Sequence, residues 1–319
     1  SVVHAVSVGY LGLVKAIDYL EVVSESLAVT EARLAETQAL FEQGLVTHND
    51  VMKAELALAD ARLRKIDGEN TIRLARARLA VLVGLSPETQ VIPDEFDPEA
   101  EYERAAGDPA GNTQADETAA DTGGTEDPLT EAFRNRAEMR MAENRIAAGE
   151  AGIANAASSF YPALILKGNY TYANPNPTLF PQSEAWNGTW EVGLLLSVDV
   201  GAYPATWFKT REAEARRDRA LADYARLKDG ITIEVLESRL ELEKARDRLD
   251  VGRKMMEQAA ENLRIMTEKR KNGLATTTDV LDARLSFLEA KLFFRQAAID
   301  RKIAEVTFDY RRGVLWPTP

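Results

Sequence analysis

The sequence contains no cysteine, which excludes disulfides, thiolate nucleophiles and cysteine-based metal sites. Its two histidines, His4 and His48, stand far apart with no partner histidine nearby, so both read as surface residues rather than metal ligands. No run of about 18 apolar residues occurs, so a membrane-spanning helix is excluded. Glycine-rich phosphate loops, histidine metal spacings and nucleophile motifs are missing as well, which argues against an enzyme and against a bound cofactor. Basic residues alternate with acidic ones and form no cluster suited to nucleic acid. Proline is absent from 205 to 272, where only Gly230 and Gly252 interrupt the helical pattern. At 1.5 Å per residue that run reaches roughly 100 Å, too long for the core of a compact domain and suited to packing against other long helices.

The formal charge of -12 is concentrated in one place. From Asp94 to Glu131 there are thirteen acidic residues and a single basic one, Arg104, so the remaining sequence is neutral. With Gly107, Pro109, Gly111, Gly123, Gly124 and Pro128 and few large apolar residues, this segment reads as a loosely attached acidic linker.

What is present is a duplication. Residues 44–84 and 273–313 align without a gap at a shift of 229 positions. Gly44, Leu45, Thr47, Asp50, Val51, Ala54, Leu56, Ala61, Leu63 and Gly84 match Gly273, Leu274, Thr276, Asp279, Val280, Ala283, Leu285, Ala290, Leu292 and Gly313. A match that keeps both the glycines and the apolar register marks a repeated structural unit. Before Gly44, Leu20, Val23, Leu27, Leu34 and Phe41 recur at amphipathic helix spacings. Gly44 ends that helix, and the Thr47 to Asp50 stretch offers the oxygens and negative charge that start another. The second copy repeats this with Gly273 as the stop and Thr276 to Asp279 as the start, so each copy predicts a helical hairpin.

The period changes between the copies. Leu164, Leu166, Gly168, Tyr170 and Tyr172 alternate with Ile165, Lys167, Asn169 and Thr171; Trp190, Val192, Leu194, Leu196, Val198 and Val200 alternate with Glu191, Gly193, Leu195, Ser197 and Asp199. This predicts two strands, each of the roughly 10 residues that cross a bilayer, with aromatics toward the connecting loop. Leu164, Leu166, Tyr170, Tyr172, Trp190, Val192, Leu194, Leu196 and Val198 are the expected lipid-facing set. Because a spanning sheet must close on itself, further strands have to come from elsewhere.

These residues resemble the TolC-like outer membrane efflux protein family, the exit ducts of bacterial efflux and type I secretion systems. The likeness rests on Gly44 with Asp50, Val51 and Ala54, and on Gly273 with Asp279, Val280, Leu281, Asp282 and Ala283. Arg136 to Glu143 opening a helix, Tyr161-Pro162 entering a strand and the Trp190 strand support it. The resemblance implies a mainly α fold with a small β part: long helical hairpins forming a periplasmic tunnel, and strands contributing to a trimeric outer-membrane barrel. The expected division is a first hairpin over 1–92, an acidic linker over 93–131, a long helix over 132–160, a transmembrane β-hairpin over 161–203 and a second helical hairpin over 204–314.

The resemblance further implies a homotrimer that conducts passively and docks through its tips, Gly44, Leu45, Thr47, Gly273, Leu274 and Thr276, to a periplasmic adaptor and an inner-membrane transporter. Asp279 and Asp282 match the family's paired aspartates, which narrow the entrance as threefold rings, and that match favours the ring over the alternative in which Asp279 only caps the helix and Asp282 is a solvated first-turn acid. Lys53 stands where the first copy would carry the second acid. Some relatives restrain the tip with a tyrosine and an arginine, where this sequence has Arg270 and Ala275. By the 229-residue shift Ser1 corresponds to Gly230, so the resemblance implies a preceding portion with a first helix and strand pair. The competing expectation is a non-conducting periplasmic coiled-coil adaptor or scaffold, which leaves the two aromatic-ended strands without a role.

Overall fold

The computed structural model describes residues 2–93, 127–181 and 184–314, so most of the expected acidic linker lies outside the described residues. The elements are α1 (Val2–Glu42), α2 (His48–Leu82), α3 (Pro128–Asn135), α4 (Ala137–Ser158), β1 (Ala163–Ala173), β2 (Asn187–Ser197), a 3-10 turn (Val200–Ala202), α5 (Tyr203–Lys271) and α6 (Thr277–Arg312). Two expectations shift in detail. Helix α3 begins at Pro128, inside the stretch expected as linker, because proline fits the first helical turn. The single helix expected over 132–160 is broken at Arg136, which is extended (φ −72°, ψ 127°) and turns its guanidinium onto Glu138 at 3.4 Å.

The chain divides into two compact units, one of Ser1–Asn135 with Ile231–Pro319 and one of Arg136–Gly230. In the first, α1 packs on α2 through Leu13, Ala16, Ile72 and Leu79. It packs on α6 through Leu11, Val14 and Ile299 and, further along, Val22, Val29 and Leu288. Helix α6 in turn meets α5 through Leu249, Phe294, Ala297 and Ala298, and through Leu242, Ala245 and Ala304. The packing order is therefore α2, α1, α6, α5. The frequent alanines at these contacts let the helix axes approach closely. Each large side chain taken fully out of water, such as Leu13 or Ile299 at 0% exposure, stabilises the layer by about 1.5–3 kcal/mol.

The α1–α6 seam also carries ion pairs along its length: Lys15 with Asp300, Asp18 with Arg295 at 2.8 Å, Glu25 with Arg284 at 3.3 Å and Arg33 with Asp282 at 2.8 Å. Most are half-exposed and contribute under about 1 kcal/mol each. Asp18 differs. Its burial pushes the carboxyl above the usual aspartate range, against the pull of Arg295. His4, expected at the surface, is half-buried, stacked on Tyr310 at 4.5 Å with Nε2 3.2 Å from the Thr307 hydroxyl. Burial lowers its pKa.

In the second unit α4 and α5 pass closely at Gly149, where a Cβ would stand 3.2 Å from the Arg217 backbone. Strands β1 and β2 form an antiparallel hairpin, the two-stranded sheet found among the described residues. Its register pairs Leu164 with Leu196, Leu166 with Leu194, Gly168 with Val192 and Tyr170 with Trp190. Both strands thus present their apolar sets on the same face. Asp199 turns the chain toward α5 by accepting hydrogen bonds from the Gly201 and Ala202 amides at 3.1 and 3.2 Å.

Candidate conduction site: hairpin tips and sheet faces

Each tip is closed by the same backbone solution. The amide of Gly44 donates to Phe41 O and that of Leu45 to Leu40 O; Gly273 and Leu274 do the same to Arg270 O and Lys269 O. These paired bonds satisfy the last helical carbonyls and require a left-handed residue, met by Gly44 at φ +71° and Gly273 at φ +73°. Gly84 and Gly313, the other matched glycines of the repeat, end α2 and α6 in the same way. The next helix then starts with a reciprocal cap. The Thr47 hydroxyl accepts from the Asp50 amide while Asp50 accepts from the Thr47 amide, and Thr276 with Asp279 forms the identical pair. Hydrogen bonds from the Thr47 hydroxyl and amide hold the Asp50 carboxyl below the usual aspartate range. The Thr276 amide and hydroxyl do so for Asp279.

All six expected tip residues, Gly44, Leu45, Thr47, Gly273, Leu274 and Thr276, lie on these two turns and are exposed, Leu45 at 67% and Leu274 at 77%. The two candidate constriction acids have different partners. Asp279 folds back on Thr276 as a cap, whereas Asp282 reaches across to Arg33 on α1. In the first copy Lys53 stands 3.9 Å from Asp50 instead. Between the tips runs a cleft of about 280 Å³ lined by Arg33, Thr37, Leu40, Val46, Asp50, Lys53 and Thr278. Arg33 is a residue that sequence reasoning missed. Its role arises from the α1–α6 packing, for which a single arginine on an amphipathic helix gives no signal.

On the sheet, Leu164, Leu166, Tyr170, Tyr172, Trp190, Val192, Leu194 and Leu196 share one exposed face. Val198 lies one residue past the end of β2 and outside the ladder, immediately before the Asp199 turn. The opposite face carries Lys167, Asn169, Thr171, Thr189 and Glu191, together with the cross-strand pair Ile165 and Leu195. The aromatics are more numerous than alternation indicated. Trp186 stacks on Tyr172 at 5.3 Å near the loop, and Trp207 with Phe208 (5.0 Å apart, edge to face) is exposed just after the hairpin, with Arg211 over the Trp207 ring. These sit outside strands, in the loop and the first turns of α5, where a period of two cannot find them. Among the described residues no helix is long and apolar enough to cross a membrane, and no cluster could hold a metal ion.

The fold is that of solved outer-membrane channels. It is similar to MtrE of Neisseria gonorrhoeae (18% identity, 99% of this chain and 66% of that chain, TM-score 0.74). It is also similar to VceC of Vibrio cholerae (20% identity, 98% and 70%, TM-score 0.71) and to the CmeC channel of Campylobacter jejuni (15% identity, 99% and 63%, TM-score 0.71). The chain spans about two thirds of the length of these proteins. A search of curated proteins finds no match. The model of the outer membrane efflux protein family matches residues 129–309, more than half of the sequence. The chain belongs to the outer membrane efflux protein family.

Proposed function

We propose that the protein is an outer-membrane exit duct, a passive conduit for efflux or secretion that works as a homotrimer with a periplasmic adaptor and an inner-membrane transporter. The observation that carries this reading is the β1–β2 hairpin. One face is apolar from Leu164 to Trp190 and exposed, the other carries Lys167, Asn169, Thr171, Thr189 and Glu191 beside the Ile165–Leu195 pair, and among the described residues each strand pairs on one side only. Such a sheet is stable in lipid only when further strands close it, with the apolar face outward and the polar face toward water.

The repeat supports the assembly. In the seam between the copies, Leu11 and Val22 of α1 are covered by α6, and Leu285 and Leu292 of α6 by α1. Their counterparts at the 229-residue shift, Leu240 and Val251 on α5 and Leu56 and Leu63 on α2, are exposed. The vacant face of α2 is what the vacant face of α5 covers in another copy, a head-to-tail contact that closes a ring. The charges agree, since the Glu25–Arg284 pair becomes Lys254 opposite Glu55. The tips would then form the periplasmic end, with Asp279 and Asp282 as carboxylate rings and Leu45 and Leu274 toward the adaptor.

The test is membrane insertion of Leu194→Arg, which places a charge on the apolar face. Insertion is expected to weaken by roughly 2–4 kcal/mol near the bilayer midplane, leaving the protein extractable without detergent. Normal insertion would reject the barrel. The scaffold alternative predicts no change.

A further inference from the structure

Farther from the tips, a second cleft of about 160 Å³ opens where α2 and α6 flank α1. Its floor is apolar, with Val22 and Leu288 only 3% and 1% exposed and Leu285 and Leu292 packed beside them. Two carboxylates stand among the lining residues, Asp60 of α2 and Glu289 of α6. They are counterparts at the 229-residue shift, yet their surroundings differ. Asp60 is paired at 2.8 Å with Arg64, one helical turn on. The position that matches Arg64 in the second copy holds Phe293, so Glu289 has no such partner, and among the described residues it forms no ion pair. With Arg64 also in the lining, the cleft carries one negative charge in excess.

We propose that this cleft is a binding site for a small amphipathic monocation, an ammonium group carried on a single ring or a short hydrocarbon. A cavity of about 150 Å³ lined by apolar side chains accepts one benzene ring, which sets the size of the apolar part. Glu289 sets the sign of the polar part, because Asp60 is already neutralised by Arg64. An ammonium also needs acceptors for its N–H donors. The Glu289 carboxylate and the hydroxyl oxygens of Ser26 and Thr30 line the same space, and the Thr30 hydroxyl donates its own proton to Ser26 O at 2.9 Å, which leaves its oxygen to accept. An anion would meet Glu289 as a like charge, and a neutral ring would leave that carboxylate to water. The lining comes from both copies of the repeat, so an occupant touches both hairpins.

The probe is benzylamine, protonated at neutral pH, with benzyl alcohol as its uncharged counterpart. Isothermal titration of the full protein in detergent, measured against detergent alone, should show saturable binding of benzylamine that Glu289→Gln weakens roughly fivefold. Benzyl alcohol should bind less tightly and be indifferent to that change. Ala57→Leu, at an exposed position of the lining, fills the cleft without altering its charge and should abolish binding of both probes. No saturable binding, equal affinity for the two probes, or binding that survives either substitution unchanged would overturn the site. Conduction enters none of these outcomes, so they leave the duct reading to its own test.

Discussion

Gly44 and Gly273 end their helices within 2° of the same φ, and Thr47 and Thr276 start the following helices with the same reciprocal cap. Three residues after each cap acid the copies part. The first has Lys53, near its own Asp50; the second has Asp282, held by Arg33 of the other hairpin. The same division recurs along the helices, where Leu285 and Leu292 are covered by α1 while the matching Leu56 and Leu63 are exposed. Backbone stops and caps must be kept in both copies because each helix end has the same unsatisfied groups. Side chains on the flanks are free to differ, since each copy meets a different neighbour.

The largest effect is expected from joining the vacant faces of α2 and α5. Val251 and Ala59 are the counterparts of Val22 and Leu288, which pack in one cluster. Introducing Val251→Cys with Ala59→Cys should therefore link copies covalently into a closed trimer on oxidation, seen on a denaturing gel. A monomer band alone would show that the faces do not meet.

Next in size are the helix stops. Gly44→Val and Gly273→Val place a β-branched residue at positive φ, where the added Cβ meets no neighbouring atom, so the cost is backbone strain of roughly 1–2 kcal/mol at each tip. Equal losses in thermal unfolding, with faster hydrogen exchange confined to the altered tip, are expected. Unequal losses would show that one turn is held by something beyond its own backbone.

Smallest is Arg33→Ala. The pair it forms with Asp282 is partly exposed, 34% and 48%, so screening keeps its contribution below about 1 kcal/mol. Stability should barely move, whereas conductance should rise because the second hairpin loses a tie that the first never had. A fall in conductance, or a loss of several degrees in Tm, would assign Arg33 a different role.

How much of this was legible depended on whether the signal was local. The glycine stops, the threonine caps and the strand alternation follow from neighbours one to four residues apart, and Gly44, Thr276 and Leu194 were readable on those grounds. The break at Arg136 depends on two adjacent helix segments meeting at one extended residue, which no periodicity records. The Arg33–Asp282 pair joins residues 249 positions apart, and the cleft that Glu289 lines depends on how α2 and α6 pack on either side of α1. Val198 lies past the strand for a simpler reason. Alternation in the sequence continued after the hydrogen-bond ladder had ended.

We propose that the protein conducts through an entrance lined by the second copy's acids, Asp279 and Asp282. Its most direct test is single-channel recording in a planar bilayer, comparing the full trimeric protein with Asp279→Ala/Asp282→Ala. Discrete cation-selective currents, with preference falling or conductance rising in the double variant, are the predicted result. Indistinguishable channels would contradict the carboxylate rings, and no current from a wild-type trimer would contradict the duct itself.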